Sequence, residues 1–550
     1  MNSSYDAVII GSGAGGGTVA YRLTRAGMRV LLLEQGPRFN PLQDYPLGRD
    51  DWERWDHFEK ENPDSYVSAV QELAENAVPL MSTRFGRRLS RTNKTRFKYA
   101  RASGVGGSTL RYQAETHRFS EHAFRMKSLF GIGEDWPITY KDLAPFYREA
   151  EEILGVAGDH DNPFRPPQEP YPMEAHPLGC PSRKIKTGAA KLGLTLHPNS
   201  LAIPSRPYRG RPACIYCRGC GYGCVIGDKG SVDVAMIDPA MATGKLTIKT
   251  GAKALQIKVN KEGKAESVIW KGKNGIEKSY GKKIIVSCGA IETPRLLLNS
   301  TSKLFPDGLA NSSGKVGAYL MTHLSFIDVV LFDSPLKSYQ GLPIDSRIWD
   351  YSSPEMTAKQ GGGFALGVMG APEGIVSPSR FAAFLAPGWG KSHKQYMQQY
   401  YGAHSAIFGV AEHIPRKDNR VSLSDKKDPD GIPKAHVAVT MHDNDLELLK
   451  HMKRRCHDLA EASGTKVIGT FSSLDTMGST HVGGTTRMGN DPQRSVVNKF
   501  GQCHDVRNLF VADNSVFVTQ GGGDSPALTI MALALRTADH IVTQAKKNNF

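Results

Sequence analysis

Asp6-Ala7-Val8-Ile9-Ile10-Gly11-Ser12-Gly13-Ala14-Gly15-Gly16-Gly17 opens the chain with a β-branched run that halts at a glycine turn. An amphipathic segment follows over residues 18–27, then a second apolar run, Val30-Leu31-Leu32-Leu33, closed by Glu34. Strand, glycine turn, helix, strand and acid stand in the order that a dinucleotide-binding βαβ unit requires. Gly11 permits the tight turn, Gly13 lets the backbone approach a pyrophosphate, and Gly16 lets the helix pack closely on the strands. The helix N-terminus offers unpaired N–H groups and a positive dipole end to phosphates. Glu34 lies about twenty residues beyond the glycines, where an acid accepts ribose hydroxyls. The same residues are also compatible with a glycine turn that binds nothing, and alone they do not choose NAD over FAD.

Outward from this unit, Ala102-Ser103-Gly104-Val105-Gly106-Gly107-Ser108-Thr109 is a second turn of small residues that lets backbone approach a flat or anionic ligand. Residues 37–79 are polar and aperiodic and predict an excursion with short helices over the cofactor edge. Thr139, with Asp142 three residues on, predicts a capped helix to about residue 154, and Pro145 argues for a start a few residues later. The prolines of 159–177 suggest an extended crossing. Strands are expected over 246–249, 254–259 and 283–290, with a hairpin around Lys273-Asn274-Gly275 and a helix over 291–298 holding Pro294 in its first turn. From about 326 to 474 the pattern predicts a second unit, a sheet with helices on one side, including an amphipathic helix over 443–462. A closing helix starts at Leu528.

With 550 residues, 40% hydrophobic and 22% charged, the chain is long enough for several cores and predicts two interleaved domains. No apolar run approaches the roughly 20 residues that span a bilayer. The first strand starts so near Met1 that no removable signal is expected. The net charge of +15 is partly local, because Arg84, Arg87, Arg88, Arg91, Lys94, Arg96, Lys98 and Arg101 crowd together without an intervening acid. No helix-turn-helix, zinc finger or repeat accompanies the charge, so nucleic acid is not the expected partner. The cluster reads either as a solvated face or as a surface for an acidic protein or anionic membrane.

Taken with the C-terminal stretch, the chain resembles the glucose–methanol–choline family of flavin oxidoreductases. The resemblance rests on Gly11-Ser12-Gly13-Ala14-Gly15-Gly16, Val105-Gly106-Gly107-Ser108, Gly289-Ala290-Ile291-Glu292-Thr293-Pro294-Arg295, Asn508-Leu509-Phe510-Val511-Ala512-Asp513-Asn514 and the helix from Leu528. It implies an α/β fold in which a Rossmann-like FAD domain, built from both chain ends, is interleaved with a sheet-plus-helices substrate domain. On that basis 1–36, 84–150, 210–325 and 475–550 form the FAD domain, 151–209 and 326–474 the substrate domain, and 37–83 the covering excursion. The resemblance further implies that Asp513, with Asn514 beside it, holds the ribityl chain or pyrophosphate, and that Gly106, Gly107 and Ser108 lie against the flavin. The family's catalytic base corresponds to His481 in Ser479-Thr480-His481-Val482-Gly483-Gly484, and histidine suits the role because its ordinary pKa is near neutral. The family's usual Asn or His partner is replaced here: Ser525, or Asp524 beside it, occupies the place. Some members attach FAD through a histidine beside the second glycine turn. Leu110 and Arg111 stand there in this chain, so FAD is expected to bind non-covalently.

Half of the eight cysteines fall in Cys214-x2-Cys217-x2-Cys220-x3-Cys224, which matches ferredoxin spacing except that Val225 stands where proline usually follows. Four thiolates also suit zinc, and two disulfides are the plainest alternative. An iron–sulfur cluster (3Fe-4S or 4Fe-4S) is the favoured reading, since a flavin enzyme has use for a one-electron relay. Sugar dehydrogenases of the resembled family carry such a cluster and pass electrons to a cytochrome c subunit with the aid of a small helper subunit. That likeness predicts an alcohol or sugar dehydrogenase held by its partners at the periplasmic face of the inner membrane; the alternative activity is an FAD alcohol oxidase using O2 with structural cysteines, and the alternative location is the cytoplasm.

Overall fold

The structure is a computed structural model that describes residues 5–45, 69–70, 80–81, 98–164, 169–352, 363–371, 377–474 and 478–547. Tyr5–Ile10 lies at the centre of a parallel sheet, with Val30–Leu33 on one side and the second half of Gly275–Val286 on the other. Both strand faces are covered, which is why Ala7-Val8-Ile9-Ile10 is apolar without alternation. Leu246–Lys249 pairs with Val30–Leu33 at one edge, and Leu509–Val511 pairs with Gly275–Val286 at the other. Leu509 stands opposite Ile284 and Val511 opposite Val286, so the two ends of the chain share one sheet. The first half of Gly275–Val286 instead forms an antiparallel hairpin with Ala265–Gly272, which is joined in turn by Lys253–Val259.

The first helix spans Ala14–Arg25 and so begins inside the glycine run, four residues before the amphipathic segment. Close packing overrides the poor helix propensity of glycine here. A Cβ on Gly15 would sit 1.6 Å from the Ala512 carbonyl oxygen, and one on Gly16 would sit 1.9 Å from that of Gly11. Only glycine lets the first turn lie this near the strand ends. This helix packs on Ala527–Lys546, which packs in turn on Tyr140–Leu154.

Two proline-based expectations are corrected. Tyr140–Leu154 starts directly after Thr139, with Pro145 well inside it. The Thr139 N–H donates to Asp142 Oδ2 at 2.8 Å and the Asp142 N–H to Thr139 Oγ1 at 3.3 Å, a complete reciprocal cap that fixes the start. Likewise Gly289–Asn299 starts two residues before the predicted helix, leaving Pro294 beyond its first turn.

The second sheet runs Lys466–Ser472, Leu324–Leu331, His404–Ala411, Phe364–Met369, Ile344–Ile348 and His197–Pro198, antiparallel throughout. Asp443–Ala462 lies across it, with Cys180–Lys191 alongside. Most of the expected covering excursion and all of the basic cluster before Lys98 lie outside the described residues. Among the described residues no helix is long and apolar enough to cross a membrane.

Candidate active site

A cavity of about 560 Å³ opens between the C-terminal ends of the parallel strands and the second sheet. That is where open α/β sheets place ligands. Its cofactor end is walled by Gly11, Gly13, Gly107, Ser108, Glu34 and Asp513. The two glycine turns abut: a Cβ on Gly107 would lie 2.6 Å from Gly13 Cα. Gly106 and Gly16 stand behind this wall. The Gly106 N–H donates to Ser12 Oγ at 3.2 Å, and Gly16 seats the helix on its turn.

The two acids at this end hold the protein together around the cavity. Glu34 accepts from Ser12 Oγ at 2.6 Å and from the Gly36 N–H at 2.8 Å. Burial raises its pKa, against the pull of these bonds. Asp513 accepts from the Gly289 N–H at 2.9 Å, Thr293 Oγ1 at 2.6 Å and the Ser515 N–H at 2.8 Å, so it starts one helix and shapes the turn that leads to the last. Burial raises its pKa too. Asn514 donates to the Val482 carbonyl and ties this turn to the His481 segment. Arg101, the member of the basic cluster with a described side chain, lines the cavity instead of lying on a docking face.

The same cavity is lined by His481, Ser525, Arg347, Glu115 and Phe408. His481 Nδ1 is 3.0 Å from Nδ1 of His323, whose Nε2 is 3.1 Å from the Gln520 carbonyl. A carbonyl only accepts, so His323 carries its proton on Nε2 and presents a lone pair at Nδ1. His481 must then donate from Nδ1, which leaves its own lone pair on Nε2. Burial pushes His481 down to about 4 and His323 down to about 3, so both rings are neutral at ordinary pH. The Gln520 side chain also donates to the His481 carbonyl at 2.8 Å.

Of the two candidates for the partner position, Ser525 reaches the cavity wall. Asp524 turns away and accepts from the Trp349 indole at 3.4 Å. The Ser525 N–H donates to His117 Nδ1 at 3.0 Å. Three groups here carry no local sequence signal. Arg347 and Glu115, 232 residues apart, form a buried bidentate pair with Nε–Oε1 at 2.7 Å and Nη2–Oε2 at 2.8 Å. Burial works to raise the Glu115 pKa, but the charge of Arg347 and bonds from Arg347 and Asn199 bring it below the usual value. Glu412, pushed up to about 7 by burial, accepts from the Gln520 and Gly522 N–H groups and fixes the turn before Ser525.

The GMC oxidoreductase family model matches residues 5–325 with its N-terminal part and residues 415–534 with its C-terminal part. The chain belongs to the GMC oxidoreductase family. It is 34% identical to 2-methyl-1,2-propanediol dehydrogenase of Mycolicibacterium austroafricanum, over 98% of this chain and 95% of that one. It is 29% identical to the fructose dehydrogenase large subunit of Gluconobacter japonicus, over 99% of both. In fold it is similar to the pyridoxine 4-oxidase of Mesorbium loti, with a TM-score of 0.64, 19% identity and coverage of 98% and 99%.

GMC oxidoreductases bind FAD, and the cofactor end of this cavity fits it. The helix Ala14–Arg25 starts at the cavity with no side-chain cap and no acid in its first turn, so its N–H groups remain available to a pyrophosphate. Glu34 at the end of Val30–Leu33, Asp513 and the Gly107–Ser108 backbone supply the rest of the cradle. Beside the second glycine turn, Leu110 lends its carbonyl to Lys229, and Arg111 donates from Nε to the Gly221 carbonyl at 2.7 Å.

The cysteine loop of this GMC oxidoreductase borders the same cavity, because Gly221 forms part of its wall. Buried Lys229 ties the loop to the flavin turn, donating to the carbonyls of Leu110 and Cys220 at 2.8 Å and of Tyr112 at 3.2 Å. Cys214, Cys220 and Cys224 are free thiols. Burial pushes Cys220 up to about 12 and Cys224 up to about 11, and raises Cys214 further. Cys217 and Cys224 lie close enough to act on Cys220, yet among the described residues no three His, Cys, Asp or Glu side chains converge on one ion. Cys214, Cys217, Cys220 and Cys224, with Lys229 donating to the Cys220 carbonyl beside them, are a donor set that either a zinc ion or an iron–sulfur cluster would take.

Proposed function

We propose that this GMC oxidoreductase is the flavin subunit of a dehydrogenase that oxidises an alcohol or sugar at His481, with electrons leaving through an iron–sulfur cluster held by Cys214, Cys217, Cys220 and Cys224 to a cytochrome c partner. FAD, when bound, accepts the hydride from the carbinol carbon. The protein's part is to receive the proton: the alcohol O–H donates to His481 Nε2, the lone pair left by the His323 hydrogen bond. Ser525 offers a hydroxyl to the same oxygen. The apolar wall of Ile344, Phe408 and Val410 keeps water away from the reacting atoms.

The observation that carries the reading is the shared wall, with His481, Ser108 and Gly221 of the cysteine loop all lining one cavity. A one-electron relay at that loop would sit one wall away from the flavin. The relatives named above support the reading, one as a diol dehydrogenase and one as a large subunit of a sugar dehydrogenase. We place the enzyme at the periplasmic face of the inner membrane, held there by its cytochrome and a small helper subunit.

Anaerobic bleaching of the flavin by an alcohol or sugar panel, before and after His481→Ala, tests the oxidation. Turnover with cytochrome c and with O2 tests the acceptor. Fast turnover with O2, and none with cytochrome c, would favour an oxidase with structural cysteines. Recovery of the native enzyme in soluble cytoplasm without a haem protein would remove the membrane assignment.

A further inference from the structure

Arg347 is 2% exposed, and its guanidinium is already heavily committed. Nε and Nη2 hold Glu115, and the Phe408 ring covers the guanidinium carbon at 4.6 Å. Nη1 has no hydrogen-bond partner among the described residues. A buried donor left unmade is costly, on the order of 1–3 kcal/mol, so an orphan of this kind calls for a ligand. Arg347 lines the cavity with His481 and Ser525, and its charge and that of Glu115 both act on His481. An oxygen of a molecule held in this cavity beside His481 would complete Nη1.

The charge balance narrows the class. Glu115 is held ionised by the bidentate Arg347 pair and the bond from Asn199, while His117 accepts the Ser525 N–H at Nδ1 and is neutral, so the cluster presents no net positive charge to the cavity. A substrate carboxylate at Nη1 would gain one hydrogen bond while standing beside the Glu115 carboxylate in a desolvated wall. A hydroxyl gains the bond without that repulsion. A long alkyl chain would leave Nη1 unsatisfied altogether.

We infer that Arg347 Nη1 is a specificity donor for a second, neutral hydroxyl on the substrate, so that the enzyme selects diols and polyols over simple alkanols and hydroxy acids. The inference rests on the proposed alcohol oxidation at His481 and adds the substrate class.

Anaerobic flavin bleaching by propane-1,2-diol, propan-1-ol and 3-hydroxypropanoate separates the two. The wild type should reduce with the diol roughly 10- to 100-fold more efficiently than with the monol, the range of one hydrogen bond to a charged group. The hydroxy acid should be no better than the monol. Arg347→Lys keeps a cation for Glu115 and removes the second edge of the fork, so the diol-to-monol ratio should collapse toward one whatever the change in absolute rate. Equal efficiency with diol and monol in the wild type, or preference for the hydroxy acid, overturns the inference even if the variant fails to fold. A ratio unchanged in Arg347→Lys, with a shifted flavin spectrum, would assign Nη1 to the cofactor and overturn it as well. If no alcohol bleaches the flavin, the oxidation reading falls and takes this inference with it; bleaching with an unselective ratio sinks the inference alone.

Discussion

The proposed base, His481, takes its proton geometry from a neighbour, His323, that is not part of the cavity wall. The Gln520 carbonyl sets the His323 tautomer, and His323 sets that of His481. His481→Ala should lower flavin reduction by about 10²–10⁴-fold, the usual worth of a general base. His323→Leu should lower kcat with little change in KM, because it touches only the ring behind the base. His323→Gln, whose amide can accept from Nδ1 and donate to the carbonyl, should recover most of that loss. A His323→Leu enzyme with unchanged kcat would refute the relay. The pH dependence has a definite sign. Both histidines are held neutral, with His481 near 4 and His323 near 3 against an ordinary value of 6.5. The folded state therefore resists protonation, so the contribution to stability is complete above about pH 6.5 and is lost as pH falls toward 4. For His481 alone that loss is roughly 3 kcal/mol, at about 1.4 kcal/mol per pKa unit. Thermal melts between pH 7 and pH 4 check it, with His481→Ala losing less stability on acidification than the wild type. The resemblance singles out His481, and the structure sets it in the cavity wall. His323, 158 residues away, is not singled out, because nothing near it in the chain marks it as a partner.

At the level of elements, the glycine turn and the helix that follows it behave as one rigid joint. The sequence marks the strand, the turn and the closing acid but misplaces the helix start, since propensity disfavours Gly15, Gly16 and Gly17 in a helix and only the distances to Gly11 and Ala512 require them there. Pro145 and Pro294 mislead in the same way, as a complete cap at Thr139 and the Asp513 carboxylate fix starts that proline alone argues against. Gly16→Ala should push the helix off its turn, because the new Cβ would meet the Gly11 carbonyl oxygen at 1.9 Å. Overpacking of this kind costs about 1–3 kcal/mol, and here it also tilts the N–H groups that face the cofactor. The variant should purify with less FAD and melt lower, and added FAD should recover part of the difference. Wild-type flavin content and melting temperature in Gly16→Ala would show that the turn has slack that the structure does not suggest. At the second turn, Leu110 and Arg111 are engaged with Lys229 and Gly221, so acid precipitation should release all the yellow colour into the supernatant. Colour retained in the pellet would mean a covalent link elsewhere.

Across the whole molecule the cysteine loop is pinned to both sheets. Lys229 joins it to the flavin turn, and Arg218 carries it to the edge of the second sheet through the carbonyls of Leu342 at 3.3 Å and Ala371 at 2.7 Å. Cysteine spacing alone announces the loop, but its position against the cavity comes from these long-range bonds, which have no sequence signature. Such anchoring predicts that the loop keeps its place when one thiol is replaced, so transport of electrons can be separated from their capture. Protein purified without oxygen should contain iron and acid-labile sulfide. Cys220→Ser should lose most of both, because Cys220 stands between Cys217 and Cys224. Its flavin should still bleach with alcohol at the wild-type rate, since the proposed proton acceptor is His481 and not the loop, while turnover with cytochrome c should fall away. If Cys220→Ser supports cytochrome c turnover undiminished, the relay does not run through this loop. If the wild type holds stoichiometric zinc without sulfide, the loop is a structural staple and the flavin must deliver its electrons directly.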